Sequence, residues 1–208
     1  MADNPKQILV ASTNPGKLAE LREMLGGEID WVGLSDFPNA PEIEEDGETF
    51  AENARKKATG YAKQTGLWTL ADDSGLVIDA LGGQPGVKSA RFSGEKSENR
   101  KLLDHKNMAK VLKLLANIPR EKRTAKFVCC VCLASPEKIL IETSGELAGL
   151  IAEKEIGENG FGYDPIFFVP RLDKTVAQLT ADEKNAISHR GNAIRKLKPL
   201  LDELLKTI

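Results

Sequence analysis

The chain has 208 residues, enough to bury a substantial core within one domain, which is the organisation expected for 1–208. Charged residues make up 29% and nearly cancel to a formal charge of −2, so no general field draws the protein to nucleic acid or to an anionic membrane. No apolar run approaches the roughly 20 residues of a membrane span, and MADNPKQ lacks the apolar core of a signal peptide, so a soluble, intracellular protein is expected.

The apolar run at 8–11 predicts a short strand. It stops at Ser12-Thr13-Asn14-Pro15-Gly16-Lys17, after which Leu18, Leu21 and Leu25 recur at helical spacing. Backbone N–H groups and the helix dipole at such a turn favour a bound phosphate, and Lys17 adds a formal charge. This is not a Walker A loop, because the first glycine is missing and Leu18 stands where Ser or Thr should follow the lysine. Ordinary N-capping by Ser12, Thr13 or Asn14 is the competing account. A second strand is expected at 29–34, followed by an acidic, proline-bearing loop at 38–47. Its acids, Glu42, Glu44, Glu45 and Asp46, either form a solvated face or lend a carboxylate to an oxygen shell for Mg²⁺. Thr49-x-x-Glu52 is a capping box opening a helix whose apolar face carries Phe50, Ala54, Ala58 and Tyr61. Arg55, Lys56 and Lys57 spread positive charge over more than one face, so one lysine can reach inward.

Residues 67–71 predict a strand that delivers Asp72-Asp73-Ser74-Gly75 at its end. Adjacent carboxylates repel, so a chain that keeps them together has a cation to share between them or a proton to move, unless the stretch is a solvated turn. Successive residues of an extended chain point to opposite sides, so the two acids need not do the same job. Leu76-Val77-Ile78 continues extended before a glycine-rich loop at 82–86. Leu102, Leu103, Val111, Leu112, Leu114 and Leu115 fit an amphipathic helix across 97–118, which Pro119 terminates. Runs at 126–134 and 138–142 flank Ser135-Pro136-Glu137 and predict an antiparallel pair. The three cysteines, Cys129, Cys130 and Cys132, lie in the first of these runs and suit core packing. A zinc site would want further Cys or His at ligand spacing, and His105 and His189 are far off in sequence.

In Gly160-Phe161-Gly162-Tyr163-Asp164-Pro165, glycines on both sides leave Phe161 little cover, which suits stacking on a planar ligand with Asp164 as an acceptor at the rim. The alternative is a tight turn with Phe161 and Tyr163 folded into the core. A strand at 166–169 follows, then helices to the C-terminus. Thr180-x-x-Glu183 is another capping box, and its helix carries Lys184. If Ser188 caps a second helix, His189 and Arg190 fall in its first turn beside unpaired N–H groups, where an anion or a carbonyl can bind. The order of elements predicts α/β with a mixed sheet.

Taken together, STNPGK, EEDGETFAENARKKA, ADDSGL, PGVKSARFSG, GFGYDPIFFVP and EKNAISHRGNA resemble, in this order and over nearly the whole chain, the inosine triphosphate pyrophosphatase family. The resemblance implies a cytoplasmic house-cleaning hydrolase that converts ITP, dITP or XTP to the monophosphate and pyrophosphate with Mg²⁺. It implies an elongated, two-lobed α/β structure around a long mixed sheet, with the active site in the cleft between lobes, and a homodimer without nucleic-acid or membrane partners. Carried over by position, Ser12, Thr13, Asn14, Pro15, Gly16 and Lys17 would hold the triphosphate with help from Lys57. Asp73 matches the catalytic acid that binds Mg²⁺ and accepts a proton, and Ser74 contacts substrate. Glu44 matches a second metal carboxylate, with Glu45 as the alternative. Phe161, Gly162, Tyr163, Asp164, Lys184, His189 and Arg190 match base-binding positions. With donors only, Arg190 and a protonated His189 at the purine 6-position would favour a carbonyl over the amino group of adenine. Two rivals share parts of this pattern: a pyrophosphatase for modified pyrimidine nucleotides, and a nucleotide-sensing module without turnover.

Overall fold

The computed structural model describes residues 7–12, 21–26 and 29–207. The expected phosphate turn therefore lies, apart from Ser12, outside the described residues. Among the described residues seven strands form one mixed sheet in the order β2-β1-β3-β4-β5-β6-β7. They are β1 (Gln7–Val10), β2 (Asp30–Gly33), β3 (Trp68–Ile78), β4 (Thr124–Ala134), β5 (Ile139–Ile151), β6 (Phe167–Val169) and β7 (Lys174–Thr175). Among the described residues the named α-helices are α1 (Phe50–Thr65), α2 (Arg100–Leu114), α3 (Ala181–Ile187) and α4 (His189–Lys206), and residues 21–25 are helical as well. β1 runs parallel to both β2 and β3, whereas β6 is antiparallel to β5 and β7. This is the expected α/β class with a mixed sheet.

The chain divides into two compact units, the first from 1–73, 129–145 and 189–208, the second from 74–128 and 146–188. In the first, strand alternation sends side chains to two cores. Ile8, Val10, Leu70, Cys129, Val131 and Leu133 pack with Ala193, Ile194, Leu197 and Leu201 of α4, and Leu9, Ala11, Ala71, Cys132 and Ala134 pack with Ala54, Ala58 and Tyr61 of α1. Each fully buried Ile or Leu contributes about 1.5–3 kcal/mol, so the two helices are fixed to opposite faces of the strands chiefly by this burial. The capping box of α1 forms as its sequence predicts. Thr49 Oγ1 accepts from the Glu52 amide and Glu52 Oε2 accepts from the Thr49 amide, a motif that stabilises a helix start by ~1 kcal/mol.

In the second unit, Phe127 and Phe167 stack at 4.2 Å between ring centres, in a core that includes Met108, Val111 and Leu115 of α2. α2 is shorter than its apolar pattern predicts, because Asn99 accepts from the Leu102 amide and caps the helix there.

Three strands exceed their predicted lengths, β4 by two residues at its start and β3 and β5 by more. β3 does not end at the paired acids but runs through them as one strand of 11 residues, and β5 extends from Ile139 to Ile151, well beyond the expected 138–142. The three cysteines are thiols. Burial, reinforced by Glu142, pushes the Cys132 thiol up to about 12, so it stays protonated and is a poor nucleophile. Among the described residues no helix is long and apolar enough to cross a membrane.

Candidate functional site

Because β3 continues through the acids, alternation sends Asp72 to the α4 face with Leu70 and Asp73 to the α1 face with Ala71. Each carboxylate then meets a different helix. Asp73, 8% exposed, accepts a 3.0 Å hydrogen bond through Oδ2 from Nδ2 of Asn53, a fully buried residue of α1. The other end of the same amide, Oδ1, accepts from the Gly47 backbone N–H at 2.8 Å. Asn53 thus ties Asp73 to the end of the acidic loop. One helical turn further, Lys57 donates through Nζ to the Asp72 carbonyl oxygen at 2.7 Å and pairs with Glu45 at 3.1 Å. Burial alone would push the Lys57 ammonium down, but the carboxylates of Asp72, Glu45 and Asp73 outweigh it and raise its pKa, so the lysine keeps its charge through neutral pH.

Parallel pairing adds the end of β1 to this cluster. Val10 is in register with Leu70, and the Ala11 amide donates to the Leu70 carbonyl at 2.8 Å, so Ser12 follows β1 at the level where Asp72 follows Leu70. Carboxyl ends of parallel strands are where α/β folds place their ligands.

On the other face, Arg190 Nη2 lies 3.3 Å from Asp72 Oδ2, each side chain only 2% exposed. Ser188 is extended, at φ −64° and ψ 154°, and α4 begins at His189, so His189 and Arg190 do occupy the first turn of a second helix. The helix dipole there favours the buried Asp72 anion. Gly145 in β5 permits this approach, because a methyl group at that position would overlap the His189 carbonyl oxygen and the Ala193 amide. Arg190 therefore enters the cluster as a counter-ion of Asp72.

Of the acidic loop, Glu45 is the acid the structure ties to the cluster, through Lys57, whereas Glu44 is exposed. Lys56 pairs with Asp46 on the outer side of α1. Among the described residues no group of three or more His, Cys, Asp or Glu converges to hold an ion. The donor set is oxygen only, a buried Asp73 carboxylate beside an acidic loop. That chemistry fits a hard cation such as Mg²⁺, which is held by one or two carboxylates and the phosphates of its substrate rather than by an all-protein cage.

The second unit holds the aromatic loop. Gly160 at φ +78° and Gly162 at φ +64° bracket Phe161 in a backbone that only glycine adopts readily. The Phe161 amide donates to Asp164 Oδ2 at 2.9 Å, the same oxygen that accepts from Lys184 Nζ at 2.8 Å, and Lys184 Nζ also sits 4.3 Å from the Phe161 ring centre. Thr180 and Glu183 cap α3 reciprocally and so fix the start of the helix that carries Lys184. Asp164 is 3% exposed and bound to Lys184, so it is not an acceptor at a rim. Tyr163 is folded into the core, its hydroxyl donating to the Ser89 carbonyl at 2.8 Å, so of the two aromatics Phe161 alone remains half-buried. Burial and the nearby Asp104 raise the Tyr163 pKa, which keeps the phenol protonated as a donor.

The structure thus brings Lys57, Glu45, Asp72, Asp73 and Arg190 together in one unit, and Phe161, Asp164 and Lys184 in the other. Ser74 opens the second unit and is half-buried. Thr13 to Lys17 lie outside the described residues. Asn53 was missed by sequence reasoning, although it stands four residues before Lys57 on the buried side of α1, and a fully apolar face would not place an amide there.

A family model described as the Ham1 family matches residues 8–200. The chain is 47% identical over 204 residues to a dITP/XTP pyrophosphatase of Bacillus cereus, covering 97% of each chain. It is 50% identical over 193 residues to a dITP/XTP pyrophosphatase of Geobacter sulfurreducens, covering 92% of this chain and 94% of that one. Among solved structures, a Ham1 protein of Staphylococcus aureus superposes with a TM-score of 0.84 at 42% identity and one from Coxiella burnetii with 0.85 at 44%, each pair covering 95% of this chain and 98% of the other.

Proposed function

Since the chain belongs to the Ham1 family, we propose that it hydrolyses non-canonical purine nucleoside triphosphates, dITP, ITP and XTP, to the monophosphate and pyrophosphate. The observation that carries this reading is Asp73: a nearly buried carboxylate, aimed by Asn53, beside a lysine that keeps its charge. Such an arrangement suits a reaction in which water attacks a phosphorus shielded by anionic oxygens, where positioning and neutralisation supply most of the rate.

Asp73 is assigned as the proton acceptor for the attacking water, and it would hold Mg²⁺ together with an acid of the loop, Glu44 or Glu45. Mg²⁺, when bound, neutralises charge on the phosphate oxygens. Lys57, Ser12, Thr13, Asn14, Pro15, Gly16 and Lys17 are assigned to the triphosphate, and Ser74 to substrate contact. Phe161 is assigned to stacking on the purine, with Gly162, Tyr163, Asp164 and Lys184 shaping that contact, and His189 and Arg190 to donation toward a 6-carbonyl. A cytoplasmic homodimer with no nucleic-acid partner completes the proposal.

Purified protein incubated with Mg²⁺ and, separately, ITP, XTP, GTP and ATP is expected to release pyrophosphate from the first two far faster than from ATP. A site of donors rejects the adenine amino group, a penalty of the kind that reaches about 10⁴-fold. Equal turnover of ATP and ITP would remove the base assignment, and nucleotide binding without pyrophosphate would identify a sensing module instead.

A further inference from the structure

The apolar pattern of α2 accounts for one side of the helix only. Asp104, Asn107 and Lys110, spaced i, i+3 and i+6, capture backbone groups from two loops of the same unit. Asp104 Oδ2 accepts from the Gly162 amide at 2.9 Å. Asn107 Oδ1 accepts from the Ser93 amide at 2.7 Å, while its Nδ2 donates to the Ala90 carbonyl at 3.3 Å. Lys110 Nζ donates to the Phe92 carbonyl at 2.6 Å and lies 4.5 Å from the Phe92 ring centre. The two loops are joined in turn where Tyr163 donates to the Ser89 carbonyl.

Asp104 bears most directly on the aromatic loop. The amides of Phe161 and Gly162 are consecutive, and each is taken by a different, largely buried carboxylate, the first by Asp164 and the second by Asp104. Arg100, one turn earlier on α2 and mostly exposed, lies 3.3 Å from Asp104 Oδ1, so the carboxylate is held from both ends. A loop whose left-handed glycines give it many alternative conformations in isolation is thereby pinned on both sides of one residue, Phe161.

We propose that Asp104 is a positioning residue for Phe161, setting the ring for stacking on the purine while touching no substrate itself. The inference rests on the assignment of Phe161 to the base. Pre-ordering a binding loop lowers the entropy lost on association, so its removal acts on substrate affinity rather than on the chemical step. Asn107 and Lys110 hold the neighbouring loop in the same manner, which makes α2 the support of both.

The test compares Asp104→Ala and Asp104→Asn with wild type in steady-state kinetics on ITP with Mg²⁺, and in amide hydrogen exchange of the free protein. A hydrogen bond from a buried amide to a carboxylate is a charge-assisted one, and its loss corresponds to ~10-fold or more. Asp104→Ala is therefore expected to raise KM about 10-fold with kcat changed less than about threefold, and to speed exchange in the segment 160–163. Asp104→Asn keeps an oxygen that accepts from Gly162 and is expected to recover most of both effects. Wild-type KM and wild-type exchange in Asp104→Ala overturn the proposal, as does a loss confined to kcat or to melting temperature. The exchange arm needs no substrate, so failure of the clamp is distinguishable from failure of the activity, which would appear in the wild-type protein as absent turnover of ITP.

Discussion

Replacing Asp73 with asparagine is expected to lower turnover of ITP by about 10²-fold or more, the contribution of a positioned general base, and by further factors if cation binding is lost with it. Asparagine has nearly the same shape, and its Oδ1 can still accept the bond from Asn53, so the fold should survive with a melting temperature close to that of wild type. What the substitution removes is the negative charge, and with it both the capacity to take a proton and the attraction for a hard cation. Steady-state pyrophosphate release, read beside circular dichroism, checks it. A folded Asp73→Asn protein with near wild-type turnover would leave the acid without a role in the chemistry.

The second large effect concerns stability. Asp72 and Arg190 are a buried pair, and removing Arg190 takes away a close counter-charge in a medium that solvates the remaining carboxylate poorly. Arg190→Ala is expected to cost about 3–5 kcal/mol, a fall in melting temperature of roughly 6–20 °C for a chain of this size. Adding Asp72→Asn to the same protein should restore part of that loss, because a neutral amide is easier to bury than a carboxylate that has lost a close counter-charge. Thermal melts of wild type, the single variant and the double variant decide the matter, and a shift of under ~2 °C in Arg190→Ala would show that the pair contributes little. The order of measurement matters, since lost ITP turnover in Arg190→Ala reports on the purine only after folding has been accounted for.

Much of the fold was legible because burial and capping act locally. The run at 8–11, the capping boxes at Thr49 and Thr180, and the break at Ser188 each declare themselves within a few residues. β3 was misread for a physical reason. Two adjacent acids followed by Ser and Gly carry the composition of a turn, and tertiary partners such as Arg190 and Asn53, more than 100 residues downstream and about 20 upstream, make them tolerable inside a strand. The extension of β5 escaped for a related reason. Its later residues include Thr143, Ser144, Gly145, Glu146 and Gly149, whose strand propensity is mostly poor and is overridden by sheet pairing.

The site was legible by residue type but not by role. Asp73, Lys57, Phe161 and Lys184 all fall in clusters, yet nothing in the spacing shows that Asp164 would be taken by Lys184 or that Tyr163 would turn inward to Ser89. Those outcomes depend on tertiary partners. Asp104 was still less visible, since α2 reads as a helix with an apolar stripe, and its polar residues look like an ordinary solvated side until the loops they hold are in place.

Gly145 shows how a residue without functional atoms can carry the same mutational signature as one with them. In a saturation scan scored by activity, almost every substitution there would displace the start of α4, and with it the cation that answers Asp72, so the position would score beside Asp73. A heat map of tolerance would then report two kinds of necessity in one colour, a reactive group and an empty volume. The two separate only when abundance is scored alongside turnover: the vacant position loses folded protein, while the acid loses rate at constant protein.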